Sequence, residues 1–179
     1  MLPAGYLYKT IAIGDNIVSN PAVHDVYSLA GCISGDFGDY MPHSLHNGYW
    51  LFDTPEAMEQ LAEKLGILLT GMKLFFYRIY PYQWNEDRKT WEEFEAFAAR
   101  PTAVREPPSP TSEGFDVVSY SGKTSPECSP LSCNGLAQTA KVNSHCLFES
   151  LDEAKGALEG GLFKLGERGP FRIVQVLSL

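Results

Sequence analysis

Two stretches of this 179-residue chain repeat each other in order and in local chemistry, and that repetition restricts the fold more than any other feature. Asp25-Val26-Tyr27-Ser28-Leu29-Ala30-Gly31 pairs with Asp116-Val117-Val118-Ser119-Tyr120-Ser121-Gly122. Further on, Asn47-Gly48-Tyr49-Trp50-Leu51-Phe52-Asp53-Thr54 pairs with Asn143-Ser144-His145-Cys146-Leu147-Phe148-Glu149-Ser150, the spacer being longer in the second half. Short matches between common residues also arise by chance. Here capping, helix phase and strand order agree together with the letters, which is the consistency a real duplication leaves.

After each Leu-Phe pair comes an acid and then a hydroxyl residue able to cap a helix. Thr54 is followed by Pro55, suited to the first helical position, and by Glu56 near the positive end of the helix dipole. Ser150 and Glu153 have the capping-box spacing. Met58, Leu61, Ala62 and Leu65 recur at helical period, as do Ala154, Ala157 and Leu158; Gly66 and Gly160-Gly161 stop the two helices. Each helix leads into an apolar run, Leu74 to Tyr80 and Phe171 to Leu177, read as strands buried on both faces. Each half therefore reads strand, long loop, strand, helix, strand. The expected fold is α+β, a mixed or antiparallel sheet with two helices built from two such halves, with a ferredoxin-like pseudo-dimer as one arrangement. The halves are residues 1–80 and 114–179 of one compact domain. Residues 81–113 between them hold a hairpin turning at Asn85-Glu86-Asp87 and a Pro-rich linker around Pro107-Pro108-Ser109-Pro110.

Charge excludes some functions. The net charge is −8, against the basic surface of a direct nucleic-acid binder, and no apolar run approaches the ~18 residues of a membrane span. Between Thr10 and Glu63 there is no Lys or Arg but eight acids: Asp15, Asp25, Asp36, Asp39, Asp53, Glu56, Glu59 and Glu63. The remaining 14 acids balance the 14 bases, so the whole excess lies in the first third. Such a stretch is either a solvated face or an attractant for a partner of positive charge, protein or small molecule. The first residues lack the basic and apolar regions of a signal peptide, so a cytoplasmic location with reduced thiols is expected.

Two long polar loops carry the chemistry. Loop one, Cys32 to His46, contains Asp36, Asp39, Tyr40, His43 and His46; loop two, Lys123 to Gly135, contains Glu127, Cys128, Cys133 and Asn134. Loops rich in Gly, Pro and polar residues are where binding groups sit, and in a pseudo-symmetric fold these two could flank one cleft. Asp36, Asp39, His43 and His46 are ligand types that suit a divalent metal, although no established ligand spacing is present; otherwise no cofactor is expected. Cys128 and Cys133 lie too far apart for a two-residue knuckle, and free thiols are favoured over a bond between them. A thiolate–imidazole pair of Cys128 or Cys133 with His145, oriented by Asp116 or Asn143, is the nucleophilic alternative. His145 and Cys146 match Tyr49 and Trp50 in the repeat, which favours structural roles for both.

Three functions follow. The leading one is a binding module that presents the acidic first third, or the cleft between the loops, to a cationic partner. The second is an enzyme with a metal- or Cys/His-assisted site between the same loops. The third is a self-associating subunit that covers exposed aromatics, drawn from Tyr6, Tyr8, Tyr77, Tyr80, Tyr82, Trp84 and Trp91, with a copy of itself.

Overall fold

The computed structural model describes residues 1–14, 17–33, 47–94, 103–120 and 126–179. The strands are β1 (Leu2–Lys9), β2 (Ala12–Ile13), β3 (Asp25–Val26), β4 (Lys73–Asn85), β5 (Thr90–Glu93), β6 (Thr111–Ser119) and β7 (Phe171–Ser178); the helices are α1 (Pro55–Leu65), α2 (Pro130–Cys133) and α3 (Leu151–Glu159). Five strands make one sheet in the order β1-β4-β7-β6, with β5 also paired to β4; β2 and β3 pair separately. All pairings are antiparallel, so the fold is α+β and the mixed-sheet option falls away. The order is also not ferredoxin-like. That arrangement inserts a strand between the two that flank each helix, whereas β1 and β4, on either side of α1, are direct neighbours.

The helix ends form as the sequence dictates. Thr54 Oγ1 accepts the Ala57 N–H at 3.3 Å, Pro55 opens α1, and Gly66 closes it with φ 70°. Ser150 Oγ accepts the Glu153 N–H at 3.2 Å, while the Glu153 carboxylate reaches back to the Glu149 N–H at 3.0 Å, one residue earlier than in a capping box. Met58, Leu61 and Ala62 of α1 pack on Trp50, Phe52 and Tyr8; Ala154 and Leu158 of α3 pack on a cluster that holds Val117, Ile173 and Phe163.

Part of the expected pairing between the halves is corrected. Asp25–Gly31 does not occupy the place of Asp116–Gly122, since Asp25–Val26 belongs to the small β2–β3 ladder and Asp116 lies in β6 of the main sheet. β1 and β6 hold comparable places in the sheet, β1 pairing with β4 after α1 and β6 with β7 after α3. The physical marker is a glycine with φ near +137°, Gly5 in β1 and Gly114 in β6, each at a register shift. A Cβ on Gly5 would lie 2.5 Å from Phe52 O, and one on Gly114 would lie 2.7 Å from Phe148 O, so each edge strand is pressed against the turn that precedes its helix.

Those turns replace the second strand expected in each half. Only single bridges form, Tyr6 with Phe52 and Phe115 with Phe148. Asn47 Oδ1 accepts the N–H groups of Tyr49 and Leu51, while its Nδ2 donates to Ala4 O at 2.7 Å. Asn143 repeats this, accepting from His145 and Leu147 and donating to Glu113 O at 2.7 Å. An Asn side chain that offers the backbone these bonds competes with a strand ladder. Trp50 and Cys146 complete the matching turns at φ 62° and 61°. Between the halves the expected hairpin is present, with Trp84 of β4 opposite Trp91 of β5 and Asn85 Oδ1 capping the turn.

Candidate functional site: the roots of the two long loops

Asp36, Asp39, Tyr40, His43 and His46 lie outside the described residues. Glu127, Cys128, Cys133 and Asn134 are described, and they stand against the start of loop one. The Gly31 N–H donates to Pro126 O at 3.1 Å and the Cys32 N–H to Glu127 O at 3.4 Å. Loop two returns along the end of β6, where Ser119 N–H donates to Cys128 O at 2.8 Å and Glu127 N–H to Ser119 O at 3.0 Å. The start of one loop and the end of the other are therefore stitched together by backbone bonds.

A buried carboxylate fastens this junction from below. Asp116, on β6, is fully buried and accepts Ser28 Oγ and Ser129 Oγ, each at 2.6 Å. Ser28 precedes loop one and Ser129 belongs to loop two, so one side chain holds both roots. The Lys9 ammonium, itself buried, donates to the backbone oxygens of Ser28 and Ala30. Burial raises the Asp116 pKa above the usual aspartate value, and the two serine hydroxyls and Lys9 oppose that rise.

Three sulfurs converge at the junction. Cys32 and Cys133 are joined as a disulfide with Cα atoms 7.1 Å apart, across 101 residues of sequence. The expectation of free thiols is thereby corrected for this pair. Spacing within loop two carries no sign of this bond, because Cys133 meets a partner from the other loop. Cys128 and Cys146 remain free and buried. The Sγ atoms of Cys32, Cys128 and Cys133 all lie within 4.8 Å of one another, a cluster that could hold a metal ion. Burial, then the charges of Glu167, Asp116 and Glu127, push the Cys128 thiol up to about 12. The junction thus sits in a negative field.

His145 belongs to another group. Its Nδ1 lies 2.5 Å from Asp25 Oδ1 and its Nε2 3.5 Å from Glu113 Oε2, and its ring stacks on Tyr27 at 4.1 Å. Lys73 bridges to Glu113 at 3.7 Å and donates to the Tyr27 hydroxyl at 3.0 Å. Among the described residues, His145 makes no hydrogen bond to a cysteine.

The acidic first third divides into three parts. Glu56, Glu59 and Glu63 lie exposed on α1, as a solvated face would have them. Asp53 is buried and accepts from Asn47 Nδ2 and the Ala103 N–H; Asp25 is paired with His145. The other three acids lie outside the described residues. Of the aromatics, Tyr6, Tyr77 and Trp84 are buried and Tyr82 is exposed.

Sequence reading missed Arg172, which is buried with its guanidinium between the rings of Phe94 and Tyr120, at 3.0 and 4.0 Å from their centroids. Burial pushes its pKa down to about 10, so it stays charged at neutral pH. Its signal was a lone cation inside the apolar run from Phe171 to Leu177.

Comparison with protein-family models, curated proteins and solved structures finds no match to this chain. Among the described residues, no helix is long and apolar enough to cross a membrane.

Proposed function

We propose that this protein acts by contact, as a binding module that takes a cationic partner, protein or small molecule, at the junction of its two loop roots. The observation that carries this reading is the joining of those roots over Asp116, with Glu127 and Glu167 adding negative charge around Cys128. A fixed negative field on a pre-set backbone steers positive partners and disfavours direct contact with nucleic acid. The reading includes a cytoplasmic setting, in which Cys32 and Cys133 would stand as thiols. It also includes an origin by duplication of a half-domain, for which the matched Gly5/Gly114 and Asn47/Asn143 geometries speak.

An enzymatic reading has one observation in its favour, the His145 imidazole held between two carboxylates. Among the described residues, however, His145 activates no hydroxyl or thiol.

A fluorescent lysine-rich peptide titrated with the protein tests the proposal. Binding at low salt that weakens steeply as salt rises, and weakens further in Glu127→Gln, is expected. Absence of binding at low salt, or binding indifferent to salt, overturns it.

A further inference from the structure

We propose that Cys32, Cys128 and Cys133 form, when reduced, a site for one soft d10 cation of the zinc type. The inference concerns the three sulfurs alone and does not depend on the docking of a larger partner.

The geometry is set by the backbone. Cys32 is fixed by its N–H to Glu127 O, Cys128 by the paired bonds with Ser119, and Cys133 by its N–H to Ser129 O at 2.8 Å. These bonds do not involve sulfur, so the three side chains converge whether or not any two are joined. A tetrahedral zinc with metal–sulfur bonds of ~2.3 Å needs sulfurs about 3.8 Å apart. Cys128 Sγ lies within 4.8 Å of both other sulfurs, and the Cys32 and Cys133 sulfurs, bonded at 2.05 Å, have to part to that spacing on reduction. The Cα atoms of Cys32 and Cys133 are 7.1 Å apart, beyond the ~4.4–6.8 Å that disulfides usually span. An ion between the sulfurs fits that wider backbone better than a direct bond does.

The surroundings agree. Cys128 is buried, Cys133 partly buried and Cys32 exposed, which gives an ion a route from solvent and leaves a fourth position for water. Asn134 Oδ1 lies 4.0 Å from Cys128 Sγ and accepts the Glu167 N–H, placing a fixed carbonyl oxygen beside the ligands. The carboxylates of Glu127, Glu167 and Asp116 around Cys128 supply a negative field that attracts a cation. On binding, the three thiols release their protons to solvent and the ion takes three thiolates. The Cys32–Cys133 disulfide uses two of the three ligands, so disulfide and ion exclude each other.

Native mass spectrometry of the full chain with added Zn²⁺, in reduced and disulfide-bonded forms, tests this. One zinc per reduced chain and none on the disulfide form are expected. Cys128→Ser should weaken zinc binding by at least ~10-fold in a chelator competition. A readout that needs no variant is thiol labelling of the reduced wild type: zinc should slow labelling of Cys32 and Cys133 and leave Cys146, buried in the α3 cluster, unchanged. A reduced protein that takes no zinc, an unchanged affinity in Cys128→Ser, or labelling of Cys32 and Cys133 indifferent to zinc overturns the proposal.

Discussion

Asp116→Ala should destabilise the protein by about 3–5 kcal/mol at pH 7. Ser28 and Ser129 would each lose a charged acceptor at 2.6 Å, and both are buried, so each hydroxyl is left unsatisfied at ~1–3 kcal/mol. Lys9, which has Asp116 as a charge neighbour, adds to the loss. Asp116→Asn separates hydrogen bonding from charge. Its Oδ1 can accept from one serine, and the other hydroxyl can rotate to accept from Nδ2, so its cost should be well below that of Ala. The pH dependence has a definite sign. The Asp116 pKa is raised in the folded state, so the folded protein holds this proton more tightly than the unfolded chain. Asp116 therefore contributes most to stability below the ordinary aspartate value. That contribution falls as pH rises through its folded pKa. Urea unfolding of wild type and Asp116→Asn from pH 3 to 7 should show the variant gaining on wild type with rising pH. Parallel curves would refute the linkage, and a cost below ~1 kcal/mol for Asp116→Ala would refute the bridge between loop roots.

Other expectations follow from single contacts. Gly114→Ala and Gly5→Ala should each cost more than ~2 kcal/mol in denaturant unfolding, because φ is near +137° and the new Cβ would meet a backbone oxygen. Asn47→Ala removes two donated and two accepted bonds and Asn143→Ala one donated and two accepted, and thermal melts should report losses of about 2–4 kcal/mol at both sites, the larger at Asn47. Ser150→Ala should cost ~1 kcal/mol through its lost helix cap. Arg172→Met, which replaces a buried guanidinium with an apolar chain of similar length, should leave stability unchanged or raise it by ~1–4 kcal/mol in chemical denaturation.

Helices α1 and α3 were legible because caps are local, whereas α2 has no side-chain cap bond at Ser129 and its segment reads as loop. Thr54-Pro55 and Ser150 with Glu153 announce their helices within a few residues, and no tertiary contact is needed to read them. Asn47 and Asn143 were also legible as a pair, although not as turns, because an Asn that folds its side chain back on its own backbone looks the same in sequence as one at a strand edge. The pairing of Asp25–Gly31 with Asp116–Gly122 rested on letters and an expected strand order, with no cap or helix phase of its own. The matching edge strands share little beyond Gly5-Tyr6 and Gly114-Phe115, a glycine under steric pressure followed by an aromatic residue. At the site, Glu127, Cys128, Cys133 and Asn134 stood out in sequence as neighbours within one polar loop. What escaped was Cys32, since its neighbours arise from the stitching of two loop roots 101 residues apart, which no spacing rule encodes.

Hydrogen exchange of the protein with and without a lysine-rich peptide tests the binding account most directly. The account predicts added protection at Gly31–Ile33 and Glu127–Asn134, where the loop roots meet. Protection confined to α1, around Glu56, Glu59 and Glu63, would contradict it, and would assign the attraction to a solvated acidic helix instead.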